Sequence, residues 1–358
     1  MKILTNRTCD VANMRIQMQA LRSEQLVWYS LLFLLLIGTQ CAASQPEFLW
    51  PDGTLVERQQ ALQQAFRDAI TLARVVAATF DPCEDVSYRY RPFFQDFSFV
   101  SQILESYHMV QVFLWYFQPI DGLFVNNVFR TIANMPLPAK LDDSTIIDIL
   151  SSPGVHEMSA QFNRLVLSVG DHPDLPSTKQ LCERSENGNP LAFTFLSHAL
   201  GDWAWISFCE DAWQYPSLDQ IYNPVDANKG KPGWGCDGLG DHDSEFMTTL
   251  GGLLLHELMH WTWLLYNFPN FDDLIGQGAI GLPQIGDFPG PEPADGYGSL
   301  HAKQLKSVEN ADNYRCYAES KYWQYRCGRP FKESMDAADD LARTGTRFEP
   351  APPEADPT

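Results

Sequence analysis

Residues 251–267 read GGLLLHELMHWTWLLYN, and this run decides the fold. An apolar stretch of that length predicts a helix buried on nearly every side, which the rest of the chain has to cover. It nevertheless carries His256, Glu257 and His260, three groups that are costly to bury without partners. Positions four apart on a helix differ by about 40° around the axis, so His256 and His260 project from one face, a turn apart.

Two imidazoles placed in this way make a two-ligand bite for a metal, and their nitrogens suit zinc at roughly 2.0–2.1 Å. Glu257 can reach a water at such a metal without being a ligand itself. The spacing is HExxH. In that chemistry zinc acidifies the water, the glutamate takes its proton and a peptide carbonyl is attacked. The competing reading has two core histidines bonded to backbone and a glutamate facing solvent. It is the weaker one, because this HExxH lies within an apolar helix of a chain with a secretory leader.

A catalytic zinc takes three protein ligands and keeps one position open. Trp263 stands where HExxHxxGxxH needs glycine, and no histidine follows at the required place, which excludes that ligand set. Two candidates remain downstream. Asp295 lies in Pro293-Ala294-Asp295-Gly296-Tyr297-Gly298, where glycine permits a sharp turn and a tyrosine follows. Glu309 lies on a helix predicted over Ala302–Trp323. On that helix Leu305, Val308, Asp312, Cys316 and Trp323 share a face, so Asp312 interrupts an apolar stripe. Its carboxylate needs a donor, such as the N–H of a metal-bound imidazole; the alternative is that Asp312 pairs with a basic residue or sits at the edge of the stripe.

The N-terminus predicts a signal peptide over residues 1–43. An apolar core, Leu26–Gly38, follows Lys2, Arg7, Arg15 and Arg22 and precedes Cys41, Ala42 and Ala43. About 13 apolar residues fall short of the roughly 20 a membrane-spanning helix needs. Cleavage leaves Cys83, Cys182, Cys209, Cys236, Cys316 and Cys327, for which an oxidising compartment predicts three disulfides. The chain carries a net charge of −20, and the leader removes more basic than acidic residues. Nucleic acid and anionic membranes are therefore poor partners.

Elsewhere, Gln45–Thr54 reads as extended with a turn at Pro51-Asp52-Gly53. Glu57–Phe80 carries Leu62, Ala65, Phe66, Ala69, Ile70 and Ala73 at helical spacing, which predicts an amphipathic helix covering a sheet. Phe97–Phe117 fits helix followed by strand. Ala199–Trp213 reads as a strand and is a candidate for pairing with a substrate backbone beside the site helix. Asp243 or Ser244 is placed to cap that helix, and Asp241 with His242 offers an alternative second ion site. His108, His156, His172 and His198 lack a partner at ligand spacing and read as structural or exposed. Phe331–Arg347 reads as a peripheral helix and turn, and the tail from residue 349 as disordered.

HELMH, the later DGYG, the segment ENADNYRCYAESKYW and the preceding PGWGCDGLGDHDSEF together resemble fungal secreted proteins of the lysine-specific metallo-endopeptidase-like group, which are related to deuterolysins and called aspzincins. The resemblance covers roughly residues 191–330. It implies an α+β, zincin-like single domain over residues 44–348 with a small mixed sheet, and one zinc ion held by His256, His260 and Asp295. Glu257 would be the general base, and Tyr297 would help stabilise the tetrahedral oxyanion. The aspzincin pattern GTxDxxYG is not kept, since Glu292-Pro293 replaces Gly-Thr and only Gly296 separates Asp295 from Tyr297. The expected function is a secreted, extracellular zinc metalloendopeptidase acting on a protein or peptide substrate as a monomer. The alternative is a non-catalytic extracellular zinc-binding protein on the same fold.

Overall fold

The alanines spaced along residues 61–78 let one long helix pack closely against its neighbours. That helix, α1 (Val56–Thr79), buries Leu62, Ala65, Phe66, Ala69, Ile70, Leu72 and Ala73. The structure, a computed structural model, describes residues 45–80, 112–137, 141–154, 156–175, 180–182, 190–197, 202–278, 280–288 and 297–335. The expected leader over residues 1–43, the tail from residue 349, Cys83, His108, His198 and Asp295 lie outside the described residues, as does most of the Phe97–Phe117 segment.

After β1 (Glu47–Leu49) and α1 come α2 (Gly122–Ile132), α3 (Asp143–Ser151), β2 (Leu165–Val169), β3 (Ala192–Ser197) and β4 (Trp203–Phe208). The remaining helices are α4 (Leu218–Tyr222), α5 (Gly235–Gly238), α6 (Leu250–Met259), α7 (Thr262–Leu265), α8 (Phe271–Leu274), α9 (Gly298–Leu305) and α10 (Ala311–Cys327). The fold is α+β, with a four-stranded mixed sheet in the order β1-β2-β4-β3. The first two pairings are parallel, and β3 runs antiparallel to β4. Leu165, Leu167, Ala204, Ile206 and Phe208 share one core with Leu62, Phe66, Leu254 and Leu258. Burial of each such side chain is worth about 1.5–3 kcal/mol.

The strand expected within Ala199–Trp213 is β4, but its expected role is corrected. β4 is hydrogen-bonded to β2 on one side and to β3 on the other, so it has no edge left for a substrate. The edge strands are β1 and β3, and β3 packs beside α6.

The 251–267 run also proves to be more than one helix. α6 ends at Met259 with His260 as its C-cap. The chain then turns through Trp261 (φ −82°, ψ 85°) before α7. Trp261 is buried at this break, with its indole N–H donating to Asp202 O at 3.3 Å. The helix expected over Ala302–Trp323 likewise divides into α9 and α10, because Lys306 takes a left-handed φ of 47°. Glu309 falls in the connection between them.

The cap of α6 is Thr249, whose hydroxyl accepts from Gly252 N at 2.9 Å. Asp243 and Ser244 stand too early for this, because a 3-10 turn over Glu245–Met247 intervenes. Asp243 instead accepts from Tyr116 and Ser320. Among the described residues two of the three expected disulfides are formed, Cys182–Cys209 and Cys236–Cys327. Cys316 is a free thiol on the buried face of α10 and has no described cysteine as a partner. Among the described residues no helix is long and apolar enough to cross a membrane.

Candidate metal centre

The first turn of α6 passes between α1 and α10, and two glycines make that passage. A Cβ on Gly251 would stand 2.3 Å from Asp68 Cβ and 3.2 Å from Ala65 O. One on Gly252 would stand 1.9 Å from Glu319 Oε1. A side chain at Gly251 would press on α1 backbone, and one at Gly252 would displace the Glu319 carboxyl group. Glu319 also accepts from Thr249 N at 2.8 Å, which satisfies a main-chain N–H at the start of the helix.

His256, Glu257 and His260 lie on the last turn of α6, all buried, and their possible ligand atoms fall within 4.8 Å of one another. This group could hold a metal ion. The Nδ1 of His256 faces Asp312 Oδ1 at 2.7 Å, and the Nδ1 of His260 faces Ile285 O at 2.8 Å. Both partners are acceptors, so each Nδ1 carries a hydrogen and each Nε2 faces inward. The two Nε2 atoms are 3.3 Å apart.

A third group meets them there. Asp287 Oδ1 is 3.0 Å from His256 Nε2 and 3.5 Å from His260 Nε2. Sequence reasoning did not find Asp287, because its segment has no periodicity and nothing in GLPQIGDFPG marks one carboxylate. Glu309 is turned away and accepts from Gly276 N at 2.9 Å. Asp295 lies outside the described residues. The donor sought for Asp312 proves to be both alternatives together, the imidazole of His256 and the guanidinium of Arg315, whose Nε and Nη2 reach Oδ1 and Oδ2 at 2.7 and 2.9 Å. Gly298 N completes the set at 2.6 Å. The second ion site has no support, since Asp241 faces Arg329 at 3.6 Å and Lys332 at 3.9 Å.

The field inside the site favours positive charge at the imidazoles. Burial opposes protonation of His256, but the Asp312 and Asp287 carboxylates outweigh it and hold its pKa up to about 10. His260 is also raised, with burial again outweighed, here by Asp287 and Glu257. Burial disfavours charge on Asp287 and Asp312 too, yet their cationic neighbours hold both well below the usual carboxylate range. Tyr297 lies at the rim, its ring 6.1 Å from that of His256. Burial, then the Asp287 carboxylate, push its phenol far above the ordinary value, so it stays a hydrogen-bond donor. Glu257 Oε2 accepts from Thr194 Oγ1 at 2.7 Å, which ties the glutamate to the edge strand β3.

The donor set fits a tetrahedral cation. Two nitrogens each about 2.05 Å from a zinc at the tetrahedral angle lie about 3.3 Å apart, and the Nε2 separation is 3.3 Å. The Asp287 distances of 3.0 and 3.5 Å bracket the same value. No protein-family model, curated protein or solved structure matches the chain.

Proposed function

We propose that the protein is a secreted zinc metalloendopeptidase with a zincin-like fold, as the resemblance to aspzincins implies, and that His256, His260 and Asp287 hold the metal. The observation that carries the reading is the convergence of Asp287 Oδ1 on two Nε2 atoms whose Nδ1 partners are already fixed. Zinc bound there supplies a lowered pKa for water and polarisation of a carbonyl oxygen.

The chain's own groups do the rest. Glu257, held by Thr194, takes the proton of the attacking water and returns it to the leaving amine. The protonated Tyr297 donates to the oxygen on which negative charge develops. Among the described strands β3 is paired only with β4, so its other edge is open to an extended peptide, whose main chain it would hold beside α6. Two disulfides suit an oxidising, extracellular setting.

The test is zinc content and casein hydrolysis of the purified protein beside Glu257→Gln. The variant is expected to keep its zinc and to lose activity by about 100- to 10,000-fold. Stoichiometric zinc with no hydrolysis by the wild type would instead assign a non-catalytic zinc-binding role.

A further inference from the structure

Residues 284–288 form neither helix nor strand, yet each makes a bond that bears on the site. Gln284 Nε2 donates to His260 O at 3.0 Å, and Ile285 O takes the His260 Nδ1 hydrogen. Gly286 uses both main-chain groups, its N donating to Glu309 O at 3.0 Å and its O accepting from Ala311 N at 2.9 Å. Asp287 places its carboxylate between the imidazoles. Phe288 N then donates to Asn310 Oδ1 at 3.1 Å. Asp287 is thus fastened on both sides to residues 309–311, on one side by backbone and on the other, among the described residues, by the Asn310 side chain.

We infer that Asn310 is a positioning residue that holds Asp287 at the two imidazoles. It is only 1 % exposed, and it is oriented from behind. Its Nδ2 donates to Asn313 Oδ1 at 2.6 Å, and Asn313 Nδ2 donates in turn to Tyr116 O and Ala302 O at 2.6 and 2.8 Å. The amide of Asn310 is therefore set with its oxygen toward Phe288. Asp312, the partner of His256, stands two residues further along. The start of α10 consequently fixes two of the three groups at once, His256 through Asp312 and Asp287 through Asn310. Without the Asn310 oxygen the chain beyond Asp287 loses its anchor, and the carboxylate gains the freedom to leave the site.

This inference rests on the reading that the three residues bind zinc, and the test separates the two. Zinc affinity is measured on the full chain by competition with a chromophoric chelator, for the wild type, Asp287→Asn, Asn310→Ala and the double variant. Visible spectra of the cobalt-loaded forms are recorded alongside. Asn310→Ala is expected to weaken zinc by about 10- to 100-fold, to shift the cobalt spectrum toward that of Asp287→Asn, and to cause no further loss in the Asp287→Asn background. Should Asn310→Ala not fold, Asn310→Gln, which displaces the same amide by one methylene, takes its place. Equal losses in both backgrounds, or wild-type affinity in Asn310→Ala while Asp287→Asn is weakened, overturn the positioning role. A wild type that binds no zinc overturns the metal reading, and this inference with it.

Discussion

His256 and Asp312 are joined by a 2.7 Å contact between Nδ1 and Oδ1, made across 56 residues of sequence and wholly inside the protein. The same carboxylate receives Arg315 and Gly298 N, so the orientation of one imidazole depends on a network of four groups. Asp312→Asn keeps an acceptor for Nδ1 but loses the charge that Arg315 pairs with. Zinc affinity is expected to fall about 10- to 100-fold. Calorimetric titration of zinc into the metal-free variant and wild type checks this.

The third group at the site is Asp287, and Asp295 was the residue that the aspzincin resemblance implied. Asp287→Ala is expected to lose bound zinc on dialysis against a chelator that the wild type withstands, whereas Asp295→Ala keeps it. Metal analysis of both variants decides between them, and the reverse pattern would return the role to Asp295.

Gly251 and Gly252 are required by the close approach of α6 to α1 and α10. A methyl at Gly251 would collide with Asp68 Cβ at 2.3 Å, and that contact has backbone behind it at 3.2 Å. Gly251→Ala is expected to destabilise the protein by about 1–3 kcal/mol or more through overpacking. Urea denaturation should show a lower midpoint with an unchanged slope.

Asp68 provides a pH dependence remote from the metal centre. It accepts from Leu218 N at 2.9 Å and Gln64 Nε2 at 2.7 Å. Burial outweighs those bonds and raises its pKa from 3.8 to about 6. The fold therefore favours the protonated carboxyl. That contribution is fully present below the unfolded value of 3.8 and is lost as pH rises through about 6. Relative to Asp68→Asn, which does not titrate, wild-type stability is expected to fall by about 2 kcal/mol between about pH 4 and pH 7. A stability difference that is flat across this range would show that Asp68 does not titrate in this way.

Much of the helical framework was legible from residue spacing. The stripe of α1 and the pairing of His256 with His260 are local periodicities, and the helix enforces them wherever it packs. The interruption of an apolar stripe by Asp312 was also legible as a demand for a donor, and His256, Arg315 and Gly298 N meet it. The breaks in the helices were not. The chain leaves α6 at the buried Trp261, and Lys306 divides the later helix by taking a left-handed conformation that no local rule requires of it.

By itself the sequence determined which segment must be buried, which face of it carries the two imidazoles and the glutamate, and that a carboxylate would have to come from downstream. Only the tertiary structure decided which carboxylate reaches them, which strand is left at the sheet edge and which cysteines pair. Hydrophobic periodicity is a property of neighbours a few residues apart. The position of Asp287, by contrast, is set by backbone and side-chain bonds from residues 309–311, more than 20 positions away. Those bonds exist only once the helices have packed.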